Sequence, residues 1–191
     1  GEIVCFGAEN AKPAKTPSAA VTVDPYPVDD QTPQYAARAD EIVKQSGVTR
    51  GFALVVGGDQ GRLAYELAKR SELHVYAVEP DPAKVEAARR ALAKTGYYGH
   101  RVVVHQADLN DLPYSNYFAN LITADGGELP AVNPQNIVRH LKPIGGVVCL
   151  GRSDQRAATD AVAWLKDAEL AEQATAVEGG PWTMFTRGPL P

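Results

Sequence analysis

From Phe52 to Gly151 short apolar runs alternate with amphipathic stretches, and this alternation limits the possible folds more than any other feature of the chain. The apolar runs are Phe52–Val56, Leu73–Val78, Val102–His105, Phe118–Ala124 and Val147–Gly151. Each has strand length and is bounded by glycine, proline or polar groups. The intervening stretches place apolar residues at helical spacing. Arg62–Arg70 sets Leu63, Ala64 and Leu67 on one side, and Pro82–Thr95 does the same with Val85, Ala88 and Leu92. Asn133–Leu141 is a helix that Lys142-Pro143 breaks. Gln34–Gln45 is a helix before the first strand, with Gly47 as its stop, and Gln155–Lys166 is a helix after the fifth. Strands linked through helices run parallel and require cover on both faces.

The end of the chain changes character. Ala171–Val177 and Trp182–Thr186 are strands joined through Gly179-Gly180, which makes a β-hairpin and adds antiparallel members. The expected architecture is therefore α/β, a doubly wound and mostly parallel sheet with a C-terminal antiparallel hairpin. Gly1–Gly7 (GEIVCFG) reads as one more strand. The stretch from Ala8 to Pro33 carries Pro13, Pro17, Pro25, Pro27 and Pro33 and reads as an extended linker with little core of its own. The resulting division is a strand and linker over residues 1–33, a domain over 34–187 and a short exit linker over 188–191.

A net charge of −4 argues against a protein whose main task is gripping nucleic-acid phosphates. Arg89, Arg90 and Lys94 share a helix, but acids are mixed in nearby and a solvated face explains them. The two cysteines, Cys5 and Cys149, have no Cys or His neighbour at metal spacing, so no metal site is expected. Cys149 lies in an apolar run and reads as a small buried hydrophobe. No apolar run is long enough to cross a bilayer, and no signal peptide is visible, so the compartment stays open. The chain opens at Gly1 without methionine and is expected to belong to a longer protein, with neighbouring domains as partners.

In an open parallel sheet ligands collect beyond the carboxyl ends of the strands. The loop after the first strand runs Val56-Gly57-Gly58-Asp59-Gln60-Gly61-Arg62, where glycines permit tight turns and close approach to a ligand. The second strand ends at Glu79-Pro80, the spacing expected for an acid that accepts both hydroxyls of a ribose. As an alternative, Glu79 favours the dipole of the helix that follows. The third strand leads to Ala107-Asp108-Leu109, where Asp108 either accepts an adenine amine or serves as a turn residue before Asn110.

These residues resemble class I S-adenosylmethionine-dependent methyltransferases over roughly Gln34 to Arg187. The likeness rests on GGDQG, VYAVEP, HQADL, LKPIGGVVCLG and the closing hairpin. It implies a seven-stranded sheet of order 3-2-1-4-5-7-6, S-adenosylmethionine as cofactor, and methyl transfer to a nucleophile on a small molecule or protein. The implied cofactor contacts are Gly57, Gly58, Asp59, Gly61, Glu79, Pro80, Ala107, Asp108 and Leu109. A nicotinamide dehydrogenase is disfavoured, because Gly57, Gly58 and Gly61 do not match its glycine spacing.

The chain departs from the family loop at two places. Val55 stands where an acid is usual, and Asp59 where a middle glycine is usual. Asp59 either takes over the contact with the methionine ammonium or caps the next helix; a loop that binds nothing is the third reading. A catalytically inactive module that binds the cofactor is the alternative function. Asp125 and Glu128, just beyond the fourth strand, are the candidate general bases. The segment ADGGEL lacks the Asn/Asp-Pro-Pro-aromatic pattern of enzymes that methylate amino groups in nucleic acids or glutamine. Tyr97, Tyr98, Tyr114 and Tyr117 could line a substrate cleft or simply pack, and His100, His105 and His140 are given no role. GEIVCFG also resembles the closing strand of a pyrroloquinoline-quinone-type β-propeller repeat, which implies a propeller in the same protein.

Overall fold

The structure, a computed structural model, describes residues 24–124, 132–151, 162–166, 174–176 and 182–188. Seven strands form one sheet: β1 (Arg50–Val56), β2 (Glu72–Glu79), β3 (Val102–Gln106), β4 (Leu121–Ala124), β5 (Val147–Gly151), β6 (Ala174–Ala176) and β7 (Trp182–Thr186). Their order is β3-β2-β1-β4-β5-β7-β6, the order that the resemblance implies. The strands from β1 to β5 pair in parallel, and β7 lies antiparallel between β5 and β6.

The helices are α1 (Gln31–Ser46), α2 (Arg62–Arg70), α3 (Pro82–Leu92) and the short α4 (Pro134–Val138), followed by helical residues 162–166. Residues α1 to α3 bury against one face of the sheet, with Ala53, Val55, Leu73, Val75, Ala77 and Val104. On the other face α4 and Leu165 cover Leu54, Ile122, Val148, Leu150 and Phe185. Every residue of α2 from Arg62 to Ala68 is buried, so this helix is held by packing on all sides. Full burial of Leu63 and Leu67 alone is worth about 1.5–3 kcal/mol each.

Several expectations are corrected. The linker reading up to Pro33 fails from Asp24 onward. Tyr26 is buried, meets Tyr65 edge-on at 5.9 Å, and donates its hydroxyl to the Gln60 carbonyl at 2.7 Å. Asp29 grips Arg62 through two hydrogen bonds, of 2.7 and 3.1 Å, and α1 begins at Gln31 rather than Gln34. A bidentate carboxylate–guanidinium pair holds a run of bends that has few apolar residues of its own. The helix expected over Asn133–Leu141 is α4 alone. Asn133 caps it by accepting the Gln135 amide, and the turn after it tightens to i→i−3 bonds at His140 and Leu141. Helix α3 ends at Leu92, where the Thr95 hydroxyl takes up the Leu92 carbonyl. Strand β4 starts at Leu121, with Ala119 making only an isolated bridge to Leu141.

Residues 107–120, between β3 and β4, contain no helix. The second face of the sheet is therefore thinly covered over β1, β2 and β3. There Phe52 is 42% exposed, and His74, Tyr76 and His105 are half-buried beside Tyr114 and Phe118. The strand at Gly1–Gly7, the propeller likeness, Cys5, most of Gln155–Lys166, Gly179-Gly180, Asp125 and Glu128 lie outside the described residues. Among those described, no helix is long and apolar enough to cross a membrane.

Candidate functional site

Parallel pairing brings three strand tips to one level. Val56 pairs with Val78, and Val78 with His105, so Gly57, Glu79 and Gln106 leave the sheet side by side. This is the carboxyl edge on which an open α/β sheet collects ligands.

The loop after β1 turns at once. Gly57 has φ 69°, and a Cβ built on it would meet no atom within 4 Å, so the backbone there faces open space. Gly58 is pressed the other way. Its amide donates to the Val78 carbonyl at 2.8 Å, and a Cβ on it would stand 2.9 Å from the Ala77 Cβ. The loop is thus bare toward the crevice and flush against β2. Gly61 closes it by donating to the Gly58 carbonyl at 2.7 Å, and α2 starts immediately after.

Glu79 fastens this loop to the next. It is 5% exposed, and its two oxygens each accept a backbone amide at 3.0 Å, one from Asp59 and one from Asp81. Charge-assisted bonds of this kind offset the cost of burying the carboxylate. The alternative role at the following helix is taken instead by Asp81, whose side chain accepts the amides of Ala83 and Lys84 at the start of α3. Pro80, between the two acids, is exposed.

Asp59 does not cap α2. The cap position is Gly61, with no side-chain cap bond, and the Asp59 carboxylate pairs with Lys84 at 3.2 Å. That carboxylate, ahead of the Glu79 charge, raises the Lys84 pKa above its ordinary value. Beside the loop lies a cleft of about 240 Å³ lined by Asp59 and, from α1, Gln31, Gln34, Tyr35 and Arg38. It sets a carboxylate and a guanidinium around one small space.

Asp108 is exposed beyond the tip of β3. Its side chain accepts the Asn110 amide at 2.8 Å and its carbonyl the Asp111 amide at 3.0 Å, so it carries the turn. Ala107 and Leu109 are half-buried against the second core. The tyrosines do not form a common cleft: Tyr97 and Tyr98 pack on the first core, Tyr114 joins the aromatic group on the other face, and Tyr117 is 41% exposed. His105 shares a 2.7 Å hydrogen bond with Tyr114, and His140 shares one of 3.0 Å with the Ser115 carbonyl. Burial is the larger cause lowering both histidine pKa values, with Arg89 and Arg139 adding to it. Among the described residues no group of three or more His, Cys, Asp or Glu side chains could hold a metal.

The sequence gives no sign of Tyr26, Asp29, Arg38 or Lys84 as neighbours of the loop, because each arrives from another element. The one hint is the Asp29–Asp30 pair just before a helical pattern.

A family model described as a methyltransferase domain matches residues 53–148. Among solved structures, a protein of Methanococcus maripaludis assigned as an S-adenosyl-L-methionine-dependent methyltransferase is similar with TM-score 0.72 and 20% identity, over 83% of this chain and 87% of that one. A SAM-dependent methyltransferase from Aquifex aeolicus is similar with TM-score 0.63 and 18% identity, over 82% and 94%. The cyclase SpnF is similar with TM-score 0.53 and 22% identity, over 60% and 43%. At these identities the likeness is one of fold. No curated protein matches the chain.

Proposed function

The chain belongs to the methyltransferase-domain family, which implies S-adenosylmethionine as cofactor, and on that premise we propose that the crevice above Gly57 binds it for methyl transfer to a small-molecule or protein nucleophile. The observation that carries this reading is Glu79, a buried carboxylate at the tip of β2 facing a loop whose outer side is open. Each of its oxygens holds one amide and keeps a further acceptor site, enough for two ribose hydroxyls. Asp108, beyond the neighbouring strand tip, would accept the adenine amine, between Ala107 and Leu109. Gly57, Gly58 and Gly61 supply close backbone.

Val55 leaves the usual acid position apolar, and Asp59 compensates. In the cleft under α1, Asp59 would accept the α-ammonium of the methionine end while Arg38 donates to its α-carboxylate. The ammonium would then replace Lys84 as partner of Asp59. The bound cofactor supplies an electrophilic methyl on sulfur. The chain's task is to align an acceptor with it and keep water away. Asp125 and Glu128, which follow β4, are the candidates to take a proton from that acceptor.

Thermal shift with S-adenosylmethionine, S-adenosylhomocysteine and NAD tests the reading. A ligand at 100 times its Kd stabilises the native state by about 2.7 kcal/mol. The two sulfur nucleosides should raise Tm and NAD should not; a shift with NAD alone, or with none, refutes it. Calorimetry of Asp59→Ala with S-adenosylhomocysteine tests the ammonium contact, which unchanged affinity would remove.

A further inference from the structure

At the opposite end of the strands lies a second cleft, of about 540 Å³, lined by Arg50, Phe52, Tyr117, Phe118, Asn120 and Lys142 together with the backbone of Gly51. Phe52 and Gly57 are separated by most of β1, roughly 16 Å at about 3.3 Å per residue, so the cleft is separate from the crevice above the loop. It takes no part in the reading above and does not depend on it.

Three observations make this cleft a site rather than a dent. First, its rings are held outward. Phe52 is 42% exposed and Tyr117 41%, among the few large apolar side chains so exposed. Tyr117 has φ 63°, a left-handed conformation that costs a residue with a side chain, and burial is not the return for it. Its amide donates to the Arg139 carbonyl at 3.1 Å. The Arg187 guanidinium sits 5.0 Å from its ring centre and is itself tied to the Leu141 carbonyl at 2.8 Å. Second, the floor is fixed, because the Asn120 side chain accepts the Phe52 amide at 3.1 Å and Phe118 meets Phe52 at 6.4 Å. Third, the charge is one-sided. Arg50 and Lys142 are exposed and make no ion pair among the described residues, and no lining residue is acidic. Glu72, exposed and paired in register with Arg50 across β1 and β2, lies outside this lining, so the excess of positive charge is that of the cleft itself.

Exposed rings beside two available cations complement a planar ring that carries an anion. We propose that this cleft binds a free nucleoside monophosphate, its base against Phe52 and Tyr117 and its phosphate against Arg50 and Lys142. A volume of this order suits one small molecule. A nucleic-acid strand would need a longer cationic track than these two side chains provide.

The test is backbone-amide NMR titration of the full chain with AMP, S-adenosylhomocysteine being present in excess to occupy the other crevice. Shifts at residues 50–52, 117–120 and 142 are expected. The exposed double substitution Arg50→Gln/Lys142→Gln, with its melting temperature checked, should weaken AMP at least about tenfold, the effect of losing a charge-assisted contact. Adenosine alone and inorganic phosphate alone should each bind much more weakly than AMP. The proposal is overturned if no shifts arise at low-millimolar AMP, or if they are confined to residues 57–62, 79–84 and 107–109. It is also overturned if the double substitution changes nothing, if either half-ligand equals AMP, or if a short single-stranded oligonucleotide binds far more tightly than AMP. Should S-adenosylhomocysteine fail to bind at all, the AMP shifts still decide this proposal by their location.

Discussion

Glu79→Gln separates two jobs that one carboxylate performs. In the free protein the side chain accepts two amides, from Asp59 and Asp81, each at 3.0 Å, in a position 5% exposed to solvent. Glutamine keeps the shape and one acceptor oxygen. Its NH2 would face the second amide, donor against donor, so one buried amide loses its partner. A hydrogen bond to a charged group is worth about 1.5–3 kcal/mol, and an unpaired buried donor costs about 1–3 kcal/mol. The two descriptions overlap, so the expected loss is about 1.5–3 kcal/mol. For a domain of 150–250 residues, 1 kcal/mol corresponds to about 2–4 °C, so Tm should fall by about 3–12 °C. Urea unfolding of both proteins without ligand measures the first job, and hydrogen exchange at the Asp59 and Asp81 amides shows which bond is lost. Calorimetry with S-adenosylhomocysteine measures the second. Loss of a charged acceptor facing two hydroxyls should weaken binding by more than tenfold, since about 1.4 kcal/mol is a factor of ten. Unchanged stability of Glu79→Gln would refute the argument that this carboxylate holds the loop. Lowered stability with unchanged affinity would leave Glu79 a structural clamp and remove the ribose role.

Two further outcomes follow from the same geometry. Gly58→Ala places a Cβ 2.9 Å from that of Ala77 in a buried strand, so urea melts should show an overpacking loss of about 1–3 kcal/mol and calorimetry a weaker cofactor analogue; wild-type stability would mean that β2 yields freely. The Arg62 guanidinium, ahead of the Thr32 amide, holds the Asp29 carboxyl down to about 2 from its usual 3.8. A depressed acid stabilises the fold above its unfolded pKa, so this contribution is present above pH 4 and fades as pH falls toward 2. Asp29→Asn should flatten the stability profile across that window, and an unchanged slope in urea melts would show that the clamp is idle.

What could be read from the chain, and what could not, follows from the range of each signal. Periodicity is local, and it located all seven strands and the antiparallel return, with helix α2 matched at both ends. Strand tips follow from strand ends, so Gly57, Glu79 and Asp108 could be placed on one edge before any contact was known. Contacts between elements carry no local signal. Asp59 and Lys84 are far apart in sequence yet pair at 3.2 Å, and that pairing, not helix capping, is the use the free protein makes of this acid. The proline-rich approach misled for the same reason. Low apolar content suggested a linker, but Tyr26 and Asp29 are held by a hydroxyl bond and a bidentate ion pair, neither of which leaves a hydrophobic pattern. That no helix lies between β3 and β4 was legible, since the pattern offers none from His105 to Phe118; which sheet face this leaves thinly covered shows only once the strands are assembled. Its consequence is physical. A sheet face without a helix must be closed by side chains of its own, and here these are rings such as Phe52, Tyr76, Tyr114 and Phe118. Rings that close such a face also end at its edge, and this is why aromatic surface reaches the amino ends of the strands, beside the exposed Arg50 and Lys142 and away from the crevice that the glycine loop builds.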